Sequence, residues 1–80
     1  MLTVTLYTKE GCHLCDDVKV ALEQLRANYP HDLTEIDITQ NDDLFARYRY
    51  SIPVVCVGSR ELQAPITQAQ LRSALATNVA

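Results

Sequence analysis

The chain has 80 residues, 48% of them apolar, with seven Lys and Arg against ten Asp and Glu and a net charge of −3. One domain of this size buries roughly 60–65% of its unfolded surface, and its few, scattered basic residues exclude an electrostatic nucleic-acid face. No apolar run approaches bilayer-crossing length.

No basic-then-apolar leader precedes the first apolar stretch. The expectation is therefore no signal peptide, a cytoplasmic location and no membrane partner. Three cysteines, an odd number in a reducing compartment, do not suit a structural disulfide framework.

In chain order, Leu2, Val4 and Leu6 alternate with Thr and Tyr, a period of two that predicts a strand over 2–8 with one better-buried face. The period then changes. Leu14, Val18, Ala21, Leu22, Leu25 and Tyr29 form one helical stripe, predicting a helix from about 13 to about 28, closed by Tyr29-Pro30. His31-Asp32 reads as a connector, with His31 on the surface. Alternation over 33–38 predicts a second strand with Ile36 and Ile38 on its apolar face, parallel to the first.

Asn41 is placed to cap a short helix over 42–48 that contributes Leu44, Phe45 and Tyr48 to the core. Val54 to Val57 is a third, apolar strand. Gly58-Ser59 makes a two-residue hairpin turn, and residues 60–63 return antiparallel. Thr67 with Gln70 forms a capping box for a last helix over 68–77, burying Leu71, Ala74 and Leu75. The predicted order is βαβαββα, a single α/β domain.

Cys12-His13-Leu14-Cys15 falls at the first strand-to-helix junction. Thiols there meet unpaired backbone N–H groups and the positive end of the helix dipole, which favour thiolate. Cys12 reads as the exposed nucleophile, its pKa below that of a free thiol, and Cys15 as the less accessible partner within disulfide reach. Lys9 adds positive charge nearby, while Glu10, Asp16 and Asp17 oppose the thiolate. The pattern supports thiol–disulfide exchange: Cys12 attacks and Cys15 resolves. His13 is either a solvated loop residue or a tuning cation. Cys56, between two valines, reads as a small buried hydrophobe.

Two other readings stay open. A zinc site needs four ligands, and only His13, His31 or Cys56 is available to join the pair; a metal or iron–sulfur carrier through Cys12 is the related alternative. A copper-chaperone order, βαββαβ, does not match. The third reading is a binding module without turnover.

Lys9-x-x-Cys12-x-x-Cys15 after the first strand, Ile52-Pro53 opening the third, and the βαβαββα order resemble the glutaredoxin branch of the thioredoxin fold, over essentially the whole chain. Residues 8–16 resemble a short bacterial glutaredoxin-like group. That resemblance implies a four-stranded mixed sheet flanked by three helices. It also implies a cis Pro53 packed over the cysteines, with the Ile52 main chain pairing with an extended disulfide substrate by strand addition.

The partners it implies are a protein disulfide or glutathione, with glutathione or a reductase as electron donor. No tightly bound cofactor, no metal and a monomeric state are expected. Two features depart from the usual glutaredoxin pattern. His13-Leu14 stands where Pro-Tyr is usual, and Gln63 to Thr67 carries neither the Gly pair nor the acidic residue that hold the γ-glutamyl end of glutathione. The N–H groups of Thr67 and Gln68 are the alternative anchors for a carboxylate, and Arg47 and Arg49 read either as charge on the other side or, the favoured reading, as solvated helix-end residues.

Overall fold

The alternating residues of the first strand sort as their period requires. In the computed structural model, which describes residues 2–77, β1 (Leu2–Thr8) turns Val4 and Leu6 inward, fully buried, while Thr3 stays exposed. The helix α1 (His13–Leu25), the strand β2 (His31–Asp37) and a 3-10 turn at Ile38–Gln40 follow. Next come α2 (Asp42–Tyr48), β3 (Val54–Val57), β4 (Arg60–Gln63) and α3 (Gln68–Thr77). The order is the predicted one with the 3-10 turn added.

The four strands form one mixed sheet in the order β2-β1-β3-β4. β1 runs parallel to β2, with Leu2 opposite His31 and Thr8 opposite Asp37. β3 is antiparallel to both β1 and β4, with Leu6 opposite Val55 and Val57 opposite Arg60. The hairpin turn needs one left-handed residue, and Gly58 supplies it at φ +60°.

Two hydrophobic clusters hold the layers. The larger joins Val4, Leu6, Val55 and Val57 of the sheet to Val18 and Leu22 of α1 and to Leu71 and Leu75 of α3. On the opposite face Ile38, Tyr48 and Val54 gather with Tyr7, Leu44 and Phe45. There Tyr7 and Tyr48 stack with ring centroids 4.7 Å apart.

Caps fall where the sequence put them. Asn41 Oδ1 accepts from the N–H groups of Asp43 (3.0 Å) and Leu44 (3.1 Å). The Thr67–Gln70 box is reciprocal: Gln70 Oε1 accepts from the Thr67 N–H at 2.8 Å, and Thr67 Oγ1 from the Gln70 N–H at 3.1 Å.

Four local expectations are corrected. The buried stripe of α1 is Cys15, Val18, Leu22 and Leu25, so Leu14 falls off it and is 59% exposed. α1 ends at Leu25 rather than near Asn28. Beyond Leu25 the side chains of residues 26–28 are exposed, and no burial holds them in the helix.

His31 is neither connector nor surface: it opens β2 and is only 2% exposed. Its Nδ1 lies 2.7 Å from the Tyr29 carbonyl oxygen, which can only accept, so Nδ1 carries the proton there. Ile38 leaves the strand early to start the 3-10 turn, yet it remains fully buried.

Candidate active site

The turn into α1 depends on Gly11, whose φ of +80° is in the left-handed region. No other atom would meet a Cβ there, so the demand is conformational rather than steric. Cys12 follows in extended geometry (φ −89°, ψ 102°) as the N-cap of α1. Its Sγ accepts from the Cys15 N–H at 3.1 Å, and its carbonyl accepts from the Asp16 N–H at 3.1 Å. A sulfur thus takes the place that Ser, Thr, Asp or Asn usually occupies.

Cys12 and Cys15 are joined as a disulfide with Cα atoms 5.2 Å apart, within the ordinary range for such a bond. Cys15 is 2% exposed. Cys12, expected to be the exposed member of the pair, is half-buried and still the more accessible of the two.

The remaining predicted residues distribute unevenly. Lys9 is exposed in the turn after β1, its carbonyl accepting from Thr8 Oγ1 at 3.5 Å. His13 is exposed at the first position of α1. Pro53 is buried after a cis peptide bond from Ile52, the geometry that the resemblance implied.

The main chain of Ile52 is only half available, contrary to expectation. Its N–H donates to the Tyr48 carbonyl at 3.1 Å, because α2 closes with one further helical turn. The Ile52 carbonyl bonds to no described residue. Thr67 offers no amide either, since Gln70 already holds its N–H. Arg47 and Arg49 lie over aromatic rings: Arg47 is 5.8 Å from the centroid of Tyr48, and Arg49 is 5.6 Å from Phe45 and 4.5 Å from Tyr50.

Sequence reasoning missed the cavity beside the cysteine pair. It measures about 270 Å³, with Leu14, Asp17 and Val18 of α1 on one wall and Pro53 in the loop. Pro65, Ile66 and Gln68 line the far side. A second cis bond, Ala64–Pro65, shapes that side, and the Ala64 N–H donates to the Ser51 carbonyl at 3.3 Å, tying the two proline loops together. Consecutive apolar residues around Pro65 were the available signal.

Cys56 is half-buried on the opposite face of the sheet rather than a plain core hydrophobe. Its Sγ is 3.9 Å from Glu61 Oε1, which also accepts from the Tyr48 hydroxyl at 3.0 Å. Burial pushes the Cys56 thiol up, and the Glu61 carboxylate adds to it by charge and hydrogen bonding. Burial likewise raises Tyr48, with the Glu61 hydrogen bond second. Cys56 is therefore held as a thiol. Among the described residues, no three His, Cys, Asp or Glu side chains gather as a metal-holding group. No helix among them is long and apolar enough to cross a membrane.

Solved structures resemble this arrangement closely. The X-ray structure of the structural-genomics target XcR50 from X. campestris is 32% identical, with 92% of this chain and 96% of that one covered and a TM-score of 0.80. Protein Ne2328 from Nitrosomonas europaea is 25% identical, over 90% of this chain and 88% of its own, at a TM-score of 0.77. Thioredoxin O2 from Arabidopsis thaliana, solved in its oxidized state, shares 16% identity over 96% of this chain and 74% of its own, at a TM-score of 0.72. That last likeness speaks to the fold alone. Residues 3–76 match the family described as "Glutaredoxin-like domain (DUF836)". A thioredoxin fold carrying a half-buried sulfur at a helix N-cap, with its partner one turn deeper, agrees with that match, and the chain belongs to this glutaredoxin-like family.

Proposed function

We propose that the protein is a thiol–disulfide oxidoreductase in which Cys12 is the nucleophile and Cys15 the resolving thiol. One observation carries the reading: the N–H of Cys15 points at Cys12 Sγ at 3.1 Å, while Cys15 itself is buried behind it. A substrate therefore meets one sulfur, already facing a main-chain donor, before it meets the other.

The Cys12 thiolate attacks one sulfur of a substrate disulfide, forming a mixed disulfide and expelling the other substrate sulfur as a thiolate, which takes a proton. Cys15, deprotonated, then attacks Cys12 Sγ and expels the second substrate thiolate. The substrate gains two electrons, and the enzyme is left with the Cys12–Cys15 disulfide. Glutathione or a dithiol reductase returns the two electrons.

Substrates are protein disulfides or glutathione disulfide, held beside Pro53 with the Ile52 carbonyl accepting a hydrogen bond from the substrate main chain. Lys9 contributes positive charge at the approach to Cys12. The working form is a cytoplasmic monomer with no tightly bound cofactor.

The test is reduction of insulin-type and hydroxyethyl disulfides by the reduced protein, with Cys12→Ser as control. Turnover lost in Cys12→Ser upholds the assignment; equal turnover by the variant, or none by the native protein on either disulfide, removes it.

A further inference from the structure

The cavity beside the cysteines carries a substrate preference, and the argument rests on the oxidoreductase reading above. Its walls are mostly apolar, and Leu14, 59% exposed, extends them to the surface next to Cys15. Asp17 is the one ionisable residue in the lining, and no Lys or Arg faces in; Lys9 lies outside it.

Of the three main-chain donors expected to take a carboxylate or pair with a substrate, those of Thr67, Gln68 and Ile52, two are occupied. Gln70 holds the Thr67 N–H and Tyr48 holds the Ile52 N–H. An anion drawn to the remaining amides at the start of α3, beside Gln68, meets the Asp17 carboxylate in the same cavity. At about 270 Å³ the space falls just below the ~300–1,000 Å³ typical of small-molecule pockets, and it suits a side chain.

We infer that this cavity receives an apolar side chain next to the target cysteine of a polypeptide disulfide, that a basic residue flanking the cysteine pairs with Asp17, and that Asp17 discriminates against glutathione. Glutathione brings two carboxylates against one ammonium, a net negative charge, to a site with one carboxylate of its own and no cation, whereas a peptide with a basic flanking residue brings a net positive one. The preference is electrostatic at an exposed position, so it weakens as salt rises.

The experiment compares kcat/KM on three disulfides: the dimer of Gly-Leu-Cys-Arg-Gly, the dimer of Gly-Glu-Cys-Glu-Gly, and glutathione disulfide. The native protein prefers the Leu/Arg peptide. Asp17→Lys narrows that preference by roughly three- to tenfold, the effect of two exposed charge interactions, and Asp17→Asn by about half as much on a logarithmic scale. Equal kcat/KM values for the native protein on the Leu/Arg peptide and glutathione disulfide overturn the inference while leaving the oxidoreductase reading intact; so does a preference unmoved by Asp17→Lys.

A second arm separates the two claims. The Cys12→Ser/Cys15→Ser protein is titrated by NMR with the S-methylated Leu/Arg peptide and with S-methylglutathione. If no disulfide is turned over, the oxidoreductase reading falls. Peptide binding that shifts Leu14 and Ile66 and is weakened by Asp17→Lys then still upholds the docking preference. Glutathione binding as tight as the peptide's overturns it.

Discussion

Replacing Gln70 with Ala tests the capping box and the closure of the nearby amide together. The substitution removes the acceptor of the Thr67 N–H, a 2.8 Å bond at the start of α3. α3 has ten residues, too few to be stable alone, and it persists because Leu71, Ala74 and Leu75 are buried against the sheet and α1. A loosened first turn is therefore felt by that packing. The lost exposed hydrogen bond costs about 1 kcal/mol, and the better helix propensity of Ala returns a few tenths.

A net loss of about 0.5–1 kcal/mol corresponds to a Tm lower by roughly 2–8 °C in a domain of this size. Urea unfolding of the oxidised protein, followed by circular dichroism, should show a lower midpoint with an unchanged slope. Gln70→Glu should keep the midpoint, because a carboxylate at this position can accept the same bond and suits the helix dipole. The freed Thr67 amide should also raise kcat/KM for glutathione disulfide relative to the Leu/Arg peptide. If Gln70→Ala and Gln70→Glu both unfold with the native midpoint, the box holds nothing and the reasoning about α3 fails.

Cys15→Ser should stop the reaction halfway, leaving a mixed disulfide on Cys12 whose mass equals protein plus substrate thiol; a free Cys12 after exposure to substrate would argue against the order of attack. Gly11→Ala forces an L-residue to φ +80° and should cost about 1–2 kcal/mol by chemical denaturation, with a fall in turnover; unchanged stability would mean the turn does not require that conformation. Leu22→Ala, at a fully buried site, should cost about 2–5 kcal/mol in the same assay, and a loss under 1 kcal/mol would contradict the packing.

In the oxidised protein Cys56 is the one remaining thiol of the three cysteines, so alkylation against pH reads it directly. Its inflection should lie above that of free cysteine, and Glu61→Gln should lower it without restoring the free value, since burial is the larger cause. Folding binds this proton more tightly, so its contribution to stability is full below the unfolded pKa and is lost as pH rises through the folded one. An inflection at the free value would remove the account.

Most of the architecture is local and could be read from residue order. Period two and period 3.6 mark strands and helices because one face of each must leave water, and that requirement is written in the chain itself. Asn41, Thr67 with Gln70, and Gly58-Ser59 act within four residues of themselves, so their roles were legible without a fold. The cysteine pair was legible for the same reason: a three-residue spacing at a strand-to-helix junction brings both sulfurs and the helix amides together whatever else the chain does.

What escaped sequence reasoning depended on neighbours distant in the chain. Whether Leu14 or Cys15 leads the buried stripe is a rotation of about 100° that only packing against the sheet and α3 decides. His31 is buried because β2 pairs along β1 from that residue onward, and the Tyr29 carbonyl satisfies its ring. The availability of the Ile52 and Thr67 amides was settled by competition from Tyr48 and Gln70. The cavity exists only because the Pro53 loop, the Pro65 loop and α1, far apart in sequence, converge. Residue order alone thus determined the succession of strands and helices and the placement of the cysteine pair, since both follow from short-range periodicity and spacing, while the four-stranded mixed sheet was implied by the family resemblance. Tertiary structure alone decided which polar groups are left for a substrate, since that depends on which partners reach them first.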